Sequence, residues 1–89
     1  MRTAKRLTIS GRVQGVFYRD WTVATARELD LAGWVRNEAD GTVAAHLEGE
    51  VEAVRTMIGR LHHGPPAARV LSVAEQDVAP EHLASFDRR

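Results

Sequence analysis

The chain has 89 residues, with twelve basic and twelve acidic side chains and no cysteine. This length allows one hydrophobic core, so we predict that residues 1–89 form a single domain. Without cysteine the chain forms no disulfide bond, no thiolate metal site and no cysteine nucleophile. The zero net charge, with both signs interspersed, argues against general nucleic-acid binding through a basic face.

The N-terminal residues are basic, as at the start of a signal peptide, but the residues after them alternate between polar and apolar. No apolar segment follows, and no stretch is apolar enough to span a membrane. The absence of cysteine permits a cytoplasmic location, and nothing in the sequence requires more than a monomer. We therefore expect a cytoplasmic monomer that does not bind membranes.

The first part of the chain predicts a strand, a helix and a second strand. Every second position of the first strand carries an apolar residue or glycine: Leu7, Ile9, Gly11 and Val13. A helical spacing then relates three small or apolar residues: Thr22, Ala26 and Leu29. This helix should end near Asp30, which tolerates a left-handed backbone. Residues 33–37 (Gly-Trp-Val-Arg-Asn) have the pattern of a short strand.

The second part predicts a hairpin, a helix and further strands. Asp40-Gly41 is a hairpin turn signal that leads into a third strand. A second amphipathic helix carries four apolar residues at helical spacing: Val51, Val54, Ile58 and Leu61. Its end precedes residues 62–66 (His-His-Gly-Pro-Pro). Val70 and Val73 belong to a fourth strand whose spacing requires a bulge, and Phe86 to a short last strand.

This order predicts an α+β, ferredoxin-like split βαβ sandwich, in which an antiparallel sheet of four to five strands carries two helices on one face. The same architecture serves RNA-binding, metal-binding, regulatory and catalytic proteins. Fold alone therefore leaves the function open.

Residues 11–19 (Gly-Arg-Val-Gln-Gly-Val-Phe-Tyr-Arg) lie between the first strand and the first helix, where backbone N–H groups bind anions. Arg19 adds a planar, permanently charged group. The loop lacks the lysine and hydroxyl of a nucleotide-hydrolysing P-loop, and no cysteine is present to attack phosphorus. The reaction that these residues still allow is attack by water on an acyl phosphate, a substrate whose carboxylate leaves readily. Asn37 is the candidate that orients the water, since its amide both donates and accepts.

Two motifs together resemble the acylphosphatases: residues 11–19, and residues 33–37 followed by residues 40–43 (Asp-Gly-Thr-Val). The resemblance covers nearly the whole chain and implies cofactor-free hydrolysis of the carboxyl-phosphate bond of small acyl phosphates, without a metal ion. It makes Arg19 the catalytic, phosphate-binding arginine and Asn37 the catalytic residue that places the water. The substrate-binding residues that it implies are Gln14, Gly15, Val16, Phe17, Tyr18 and Arg19.

Three residues depart from the family pattern. Tyr18 stands where phenylalanine is more usual, and we expect its hydroxyl beside the loop. Asp30 replaces the glycine that commonly ends the first helix. An aliphatic residue is missing two positions after Phe86, in the last strand.

Two other functions are compatible with these features. One is a non-catalytic module that binds acyl phosphates such as carbamoyl phosphate. The other is a ferredoxin-like RNA-binding protein, disfavoured by the zero net charge. We expect Trp34 and Phe17 to form core or pocket wall, Glu48 to belong to a solvated acidic edge, and His46 to have no partner.

Overall fold

The computed structural model describes residues 1–89 and contains five strands and two helices. In chain order these are β1 (Arg2–Arg12), α1 (Tyr18–Glu28), β2 (Ala32–Asn37), β3 (Val43–Glu50), α2 (Val51–Leu61), β4 (Arg69–Asp77) and β5 (Phe86–Arg88). The strands form one sheet in the order β4-β1-β3-β2-β5, and the two helices contact the sheet and each other. The predicted ferredoxin-like α+β fold is confirmed.

The direction of β5 differs from the prediction. β1 pairs antiparallel with β3 and β4, and β2 pairs antiparallel with β3, but β5 runs parallel to β2, with Gly33 opposite Phe86. The prediction of a wholly antiparallel sheet is therefore wrong at this edge. The reason lies in the order of the strands, because β4 and β5 form opposite edges of the sheet. β4 runs antiparallel to β2. The segment between β4 and β5 crosses the sheet and reverses direction once, so β5 runs parallel to β2.

The structure contains the predicted bulge in β4 and a left-handed backbone at Asp30. Ser10 pairs with Ser72 while Gly11 pairs with Val70, so Leu71 is the extra residue of a β-bulge. Asp30 has a left-handed backbone with φ 56°, although α1 itself ends two residues earlier, at Glu28.

The hydrophobic core lies between the sheet and the two helices. Its sheet side consists of alternating residues of the central strands: Leu7, Ile9, Val35, Val43, Ala45 and Leu47. Helix α2 contributes three fully buried side chains, namely Val54, Met57 and Leu61. Neither helix combines the length and the apolar character that crossing a bilayer requires. The core lies on one side of the sheet, and the other side carries polar residues together with Trp34.

On that other side, Glu48 is only 4% exposed, because residues 78–85 cover it. Its carboxylate accepts hydrogen bonds from the N–H groups of Glu81 and Leu83, the latter at 3.1 Å, and lies 2.7 Å from Nε2 of His46. Burial opposes ionisation, but these hydrogen bonds outweigh it and lower the pKa of Glu48. The expectations that Glu48 is solvated and that His46 lacks a partner are both wrong.

Trp34 lies on the same covered side and is 2% exposed. The ring of His46 stacks on it, and three guanidinium groups lie within 5 Å of its ring centre, those of Arg6, Arg36 and Arg89. This aromatic ring is therefore buried as predicted, and it offers no open face on which a nucleic-acid base could stack.

Candidate active site

Residues 13–17 connect β1 to α1 through a loop with two left-handed residues. Gly15 has φ 73° and Phe17 has φ 63°. A Cβ atom added at Gly15 would meet no atom within 4 Å, so the backbone conformation, not the space, favours glycine there. Loops that alternate between right-handed and left-handed residues turn successive N–H groups toward one point, which suits an anion.

The N-terminus of α1 follows this loop directly and is uncapped. The first helical hydrogen bond runs from the N–H of Trp21 to the carbonyl of Phe17, at 3.0 Å. The N–H groups of residues 18–20 precede it, and no side chain caps them. The loop and the helix dipole therefore combine at one position that favours a negative charge.

A cleft of about 350 Å³ opens at this position. Its lining residues come from the loop, α1, β2 and β5: Val13, Gly15, Phe17, Tyr18, Arg19, Asp20, Asn37 and Arg88. Arg19 and Asn37, which belong to separate sequence motifs, thus face one cleft. Gln14 and Val16 are not among the lining residues.

Arg19 is the second residue of α1, and its Nη1 donates a hydrogen bond to the main-chain oxygen of Arg89 at 3.0 Å. This contact fixes the side chain from one side. A guanidinium group has five N–H donors, so the remaining donors stay available to a ligand in the cleft.

Gln14 connects the loop to the turn that follows Asn37. Its Nε2 donates to the carbonyl of Glu38 at 2.8 Å and to that of Thr42 at 2.9 Å. Both amide hydrogens are thereby used inside the protein. Within the turn, Asp40 accepts hydrogen bonds from the hydroxyl and the N–H of Thr42, which lower the pKa of Asp40.

The other residues of the loop motif differ in where their side chains lie. Phe17 is 79% exposed and forms a wall of the cleft, whereas Val16 and Tyr18 are buried in the core. The hydroxyl of Tyr18 donates to the carbonyl of Leu61 at 2.7 Å, at the end of α2, and burial raises the pKa of this tyrosine. The expectation that this hydroxyl lies beside the loop is therefore wrong.

Arg88 is a cleft residue that the sequence interpretation missed. Its Nη1 donates to Oδ1 of Asp20 at 2.9 Å, so an ion pair joins β5 to the first turn of α1. The sequence marks this position only by the missing aliphatic residue two positions after Phe86, because the place of the side chain depends on which strand β5 pairs with. No group of three or more metal-ligating side chains occurs in the structure.

Comparison with known proteins agrees with this geometry. The acylphosphatase family model matches residues 5–87. An acylphosphatase from Acidiphilium cryptum is 48% identical over 86 residues, which are 97% of this chain and 94% of that protein. The structure of an acylphosphatase from Coxiella burnetii matches with a TM-score of 0.96 at 36% identity, covering 99% of this chain and 93% of that one.

A second solved structure, of an acylphosphatase from Bacillus subtilis, matches with a TM-score of 0.95 at 30% identity and covers 100% of this chain and 99% of that one. The matches extend over the whole fold and over both sequence motifs. The chain therefore belongs to the acylphosphatase family of hydrolases.

Proposed function

We propose that this protein hydrolyses the carboxyl-phosphate bond of small acyl phosphates to a carboxylate and inorganic phosphate, by direct water attack and without a metal ion or cofactor. The main support is that Arg19 and Asn37 face one cleft beside the uncapped N-terminus of α1. We propose further that the protein is a single-domain monomer of the cytoplasm that binds small molecules and no nucleic acid.

In this proposal the phosphate group is held by the N–H groups of residues 15–19 and by the guanidinium of Arg19. The two left-handed residues of the loop support this role, because such a backbone brings N–H groups together. Charge-assisted hydrogen bonds from a guanidinium are stronger than neutral ones and suit phosphate oxygens. These donors stabilise the negative charge that spreads over the phosphoryl oxygens during transfer.

Asn37 orients the attacking water from the end of β2. The water oxygen attacks phosphorus as the bond from phosphorus to the acyl oxygen breaks, and that bond's electron pair leaves with the carboxylate. A proton of the water passes to a phosphate oxygen. Because a carboxylate leaves readily, positioning and charge stabilisation are sufficient without an acid on the leaving group.

The side chain of Gln14, which does not line the cleft, acts by positioning the residues that do. Its two hydrogen bonds hold the turn after Asn37 against the loop that precedes Arg19. The separation between the water-orienting amide and the phosphate-binding groups therefore depends on Gln14, and small errors in such a separation are costly to turnover.

The deciding experiment measures phosphate release from benzoyl phosphate in excess chelator, with phenyl phosphate as a control. We expect rapid release from benzoyl phosphate at a rate that the chelator does not change, and none from phenyl phosphate, whose leaving group is poor. Equal release from both compounds, or loss of activity with chelator, would contradict the mechanism. Phosphate binding without turnover would favour a non-catalytic binding module.

A further inference from the structure

We propose that Arg88 makes the enzyme selective for acyl phosphates whose acyl group carries a second negative charge. This inference rests on the proposed function and adds a substrate class to it. Three observations support it: the position of Arg88, the free capacity of its guanidinium, and the apolar wall that faces the same cleft.

Arg88 reaches the cleft because of the register of the parallel edge strand. It lies opposite Val35, whose side chain is fully buried under the helices. Paired residues of neighbouring strands project from the same face, and so does Asn37, two residues after Val35. Arg88 and Asn37 therefore lie on one face, and both line the cleft.

The guanidinium of Arg88 is oriented but not saturated. One N–H donates to Asp20 at 2.9 Å, and the two side chains remain 52% and 58% exposed. The ion pair holds the long side chain in place, while its other N–H groups stay open to a second acceptor. An arginine held in this way loses less side-chain entropy when it binds an anion than a free one does.

Arg88 and Arg19 reach the cleft from different elements. Arg19 lies on α1 beside the N–H groups proposed to hold the phosphate, whereas Arg88 comes from β5. The cleft, at about 350 Å³, is much larger than a phosphate group and has the size of a small-molecule site. Phe17, 79% exposed, offers an apolar surface in the same cleft. An acyl group with an apolar spacer and a terminal anion matches Phe17 and Arg88 together.

The neighbouring arginine provides a matched control. The guanidinium of Arg89 lies 4.9 Å from the ring centre of Trp34, on the side of the sheet away from the helices. Of these two adjacent arginines, only Arg88 lines the cleft. Replacing either one with glutamine removes the same charge and keeps the main chain, including the Arg89 oxygen that accepts from Arg19, but only the Arg88 replacement changes a side chain of the cleft.

The test compares 4-carboxybenzoyl phosphate with 4-carbamoylbenzoyl phosphate, which has nearly the same shape but no charge on the ring substituent. We expect kcat/KM of the unmodified protein to favour the carboxylate by about fivefold, as for a partly exposed charge pair. Arg88→Gln should abolish this preference through KM, and Arg89→Gln should keep it. The preference should also decrease as salt is added.

An equal loss for both substrates in Arg88→Gln would place Arg88 at the phosphate and overturn the inference, as would an unchanged preference. If the unmodified protein hydrolysed neither compound, the proposed function would fail instead. The selectivity would then be measured by calorimetric binding of the matching phenacylphosphonates, in which a methylene group replaces the bridging oxygen. Equal affinities for the charged and neutral analogues would contradict the role of Arg88.

Discussion

The two strand-helix-strand halves of this protein differ most at the point where a strand passes into a helix. In the first half, residues 13–17 separate β1 from α1 and include two left-handed residues. In the second half, β3 passes directly from Glu50 into α2 at Val51, with an extended backbone at the junction. Only the first junction therefore has a loop that can surround an anion.

The glycines at the two junctions show the same difference. Gly15 stands in open space and supplies a left-handed backbone. Gly49 has no such backbone requirement, but a Cβ atom there would lie 2.5 Å from a methyl group of Leu31. The first glycine shapes a binding loop, whereas the second allows close packing.

The polar residues of the second half also serve the structure. Glu48 on β3 accepts hydrogen bonds from Glu81 and Leu83 and so holds residues 78–85 against the sheet, and His46 in turn contacts Glu48. The first half and β5 supply the cleft, while the second half holds the crossover that leads to β5. Residues needed for turnover therefore lie mainly in the first half, and residues needed for stability lie in the second. Substitutions in each half test this division.

The largest expected effect is that of Arg19→Ala. Loss of one oriented charge stabiliser should lower kcat about a hundredfold to a thousandfold, measured with benzoyl phosphate. The matched variant is Arg55→Ala on α2, whose guanidinium donates a hydrogen bond to Glu52 at 2.9 Å on the exposed surface and forms no other ion pair. Arg55→Ala should leave kcat unchanged. A loss of less than tenfold in Arg19→Ala would remove Arg19 from its proposed role.

A smaller effect on turnover is expected for Gln14→Met, which keeps the length of the side chain but removes both donors. Because the turn after Asn37 is then no longer held, kcat should fall about tenfold while phosphate affinity changes little. In an Asn37→Ala background the same substitution should have little further effect on kcat, since the group that it positions is already absent. Fully additive losses would show that Gln14 does not act through Asn37.

The smallest effect on turnover is expected for Glu48→Gln, which should instead reduce stability. The variant loses charge-assisted hydrogen bonds to His46, Glu81 and Leu83, so the free energy of unfolding at neutral pH should fall by about 2 kcal/mol. Denaturant unfolding gives this value, and benzoyl phosphate turnover below the unfolding transition should match that of the unmodified protein. A large loss of kcat would contradict the separation of the two halves.

The stability difference between Glu48→Gln and the unmodified protein should depend on pH. The pKa of Glu48 in the folded protein lies below its ordinary value of 4.5. Its stabilising contribution is therefore present above 4.5 and is lost as the pH falls through the lower, folded value, where the unfolded chain binds the proton more readily. The stability difference between the two proteins should narrow in acid. Unfolding curves that stay equally far apart at all pH values would contradict this.

Most of the fold was predictable because its signals are local. The alternation of Leu7 and Ile9, the turn at Asp40-Gly41 and the uneven spacing of Val70 and Val73 each mark an element that the structure contains. The wrong predictions concern which segments of the chain cover the outer side of the sheet. Alternation placed Glu48 away from the core, but it did not reveal that residues 78–85 cover it.

The same distinction applies to the candidate site. The loop motif and the strand motif already contained Arg19 and Asn37, and the structure places both residues in one cleft. The roles that depend on distant contacts were not visible. Gln14 bonds to carbonyls beyond residue 37, and the Tyr18 hydroxyl reaches the end of α2.

By itself, the sequence determined the order of the elements, the glycine-containing loop between β1 and α1, and the residue types available for phosphate chemistry, because these depend on neighbours along the chain. The tertiary structure alone decided that β5 runs parallel to β2 and thereby brings Arg88 to Asp20. Strand pairing joins residues that are remote in sequence. The pattern of adjacent residues in β5 does not indicate that β2 is the strand with which it pairs. The ion pair of Arg88 and Asp20 in the cleft follows from that pairing.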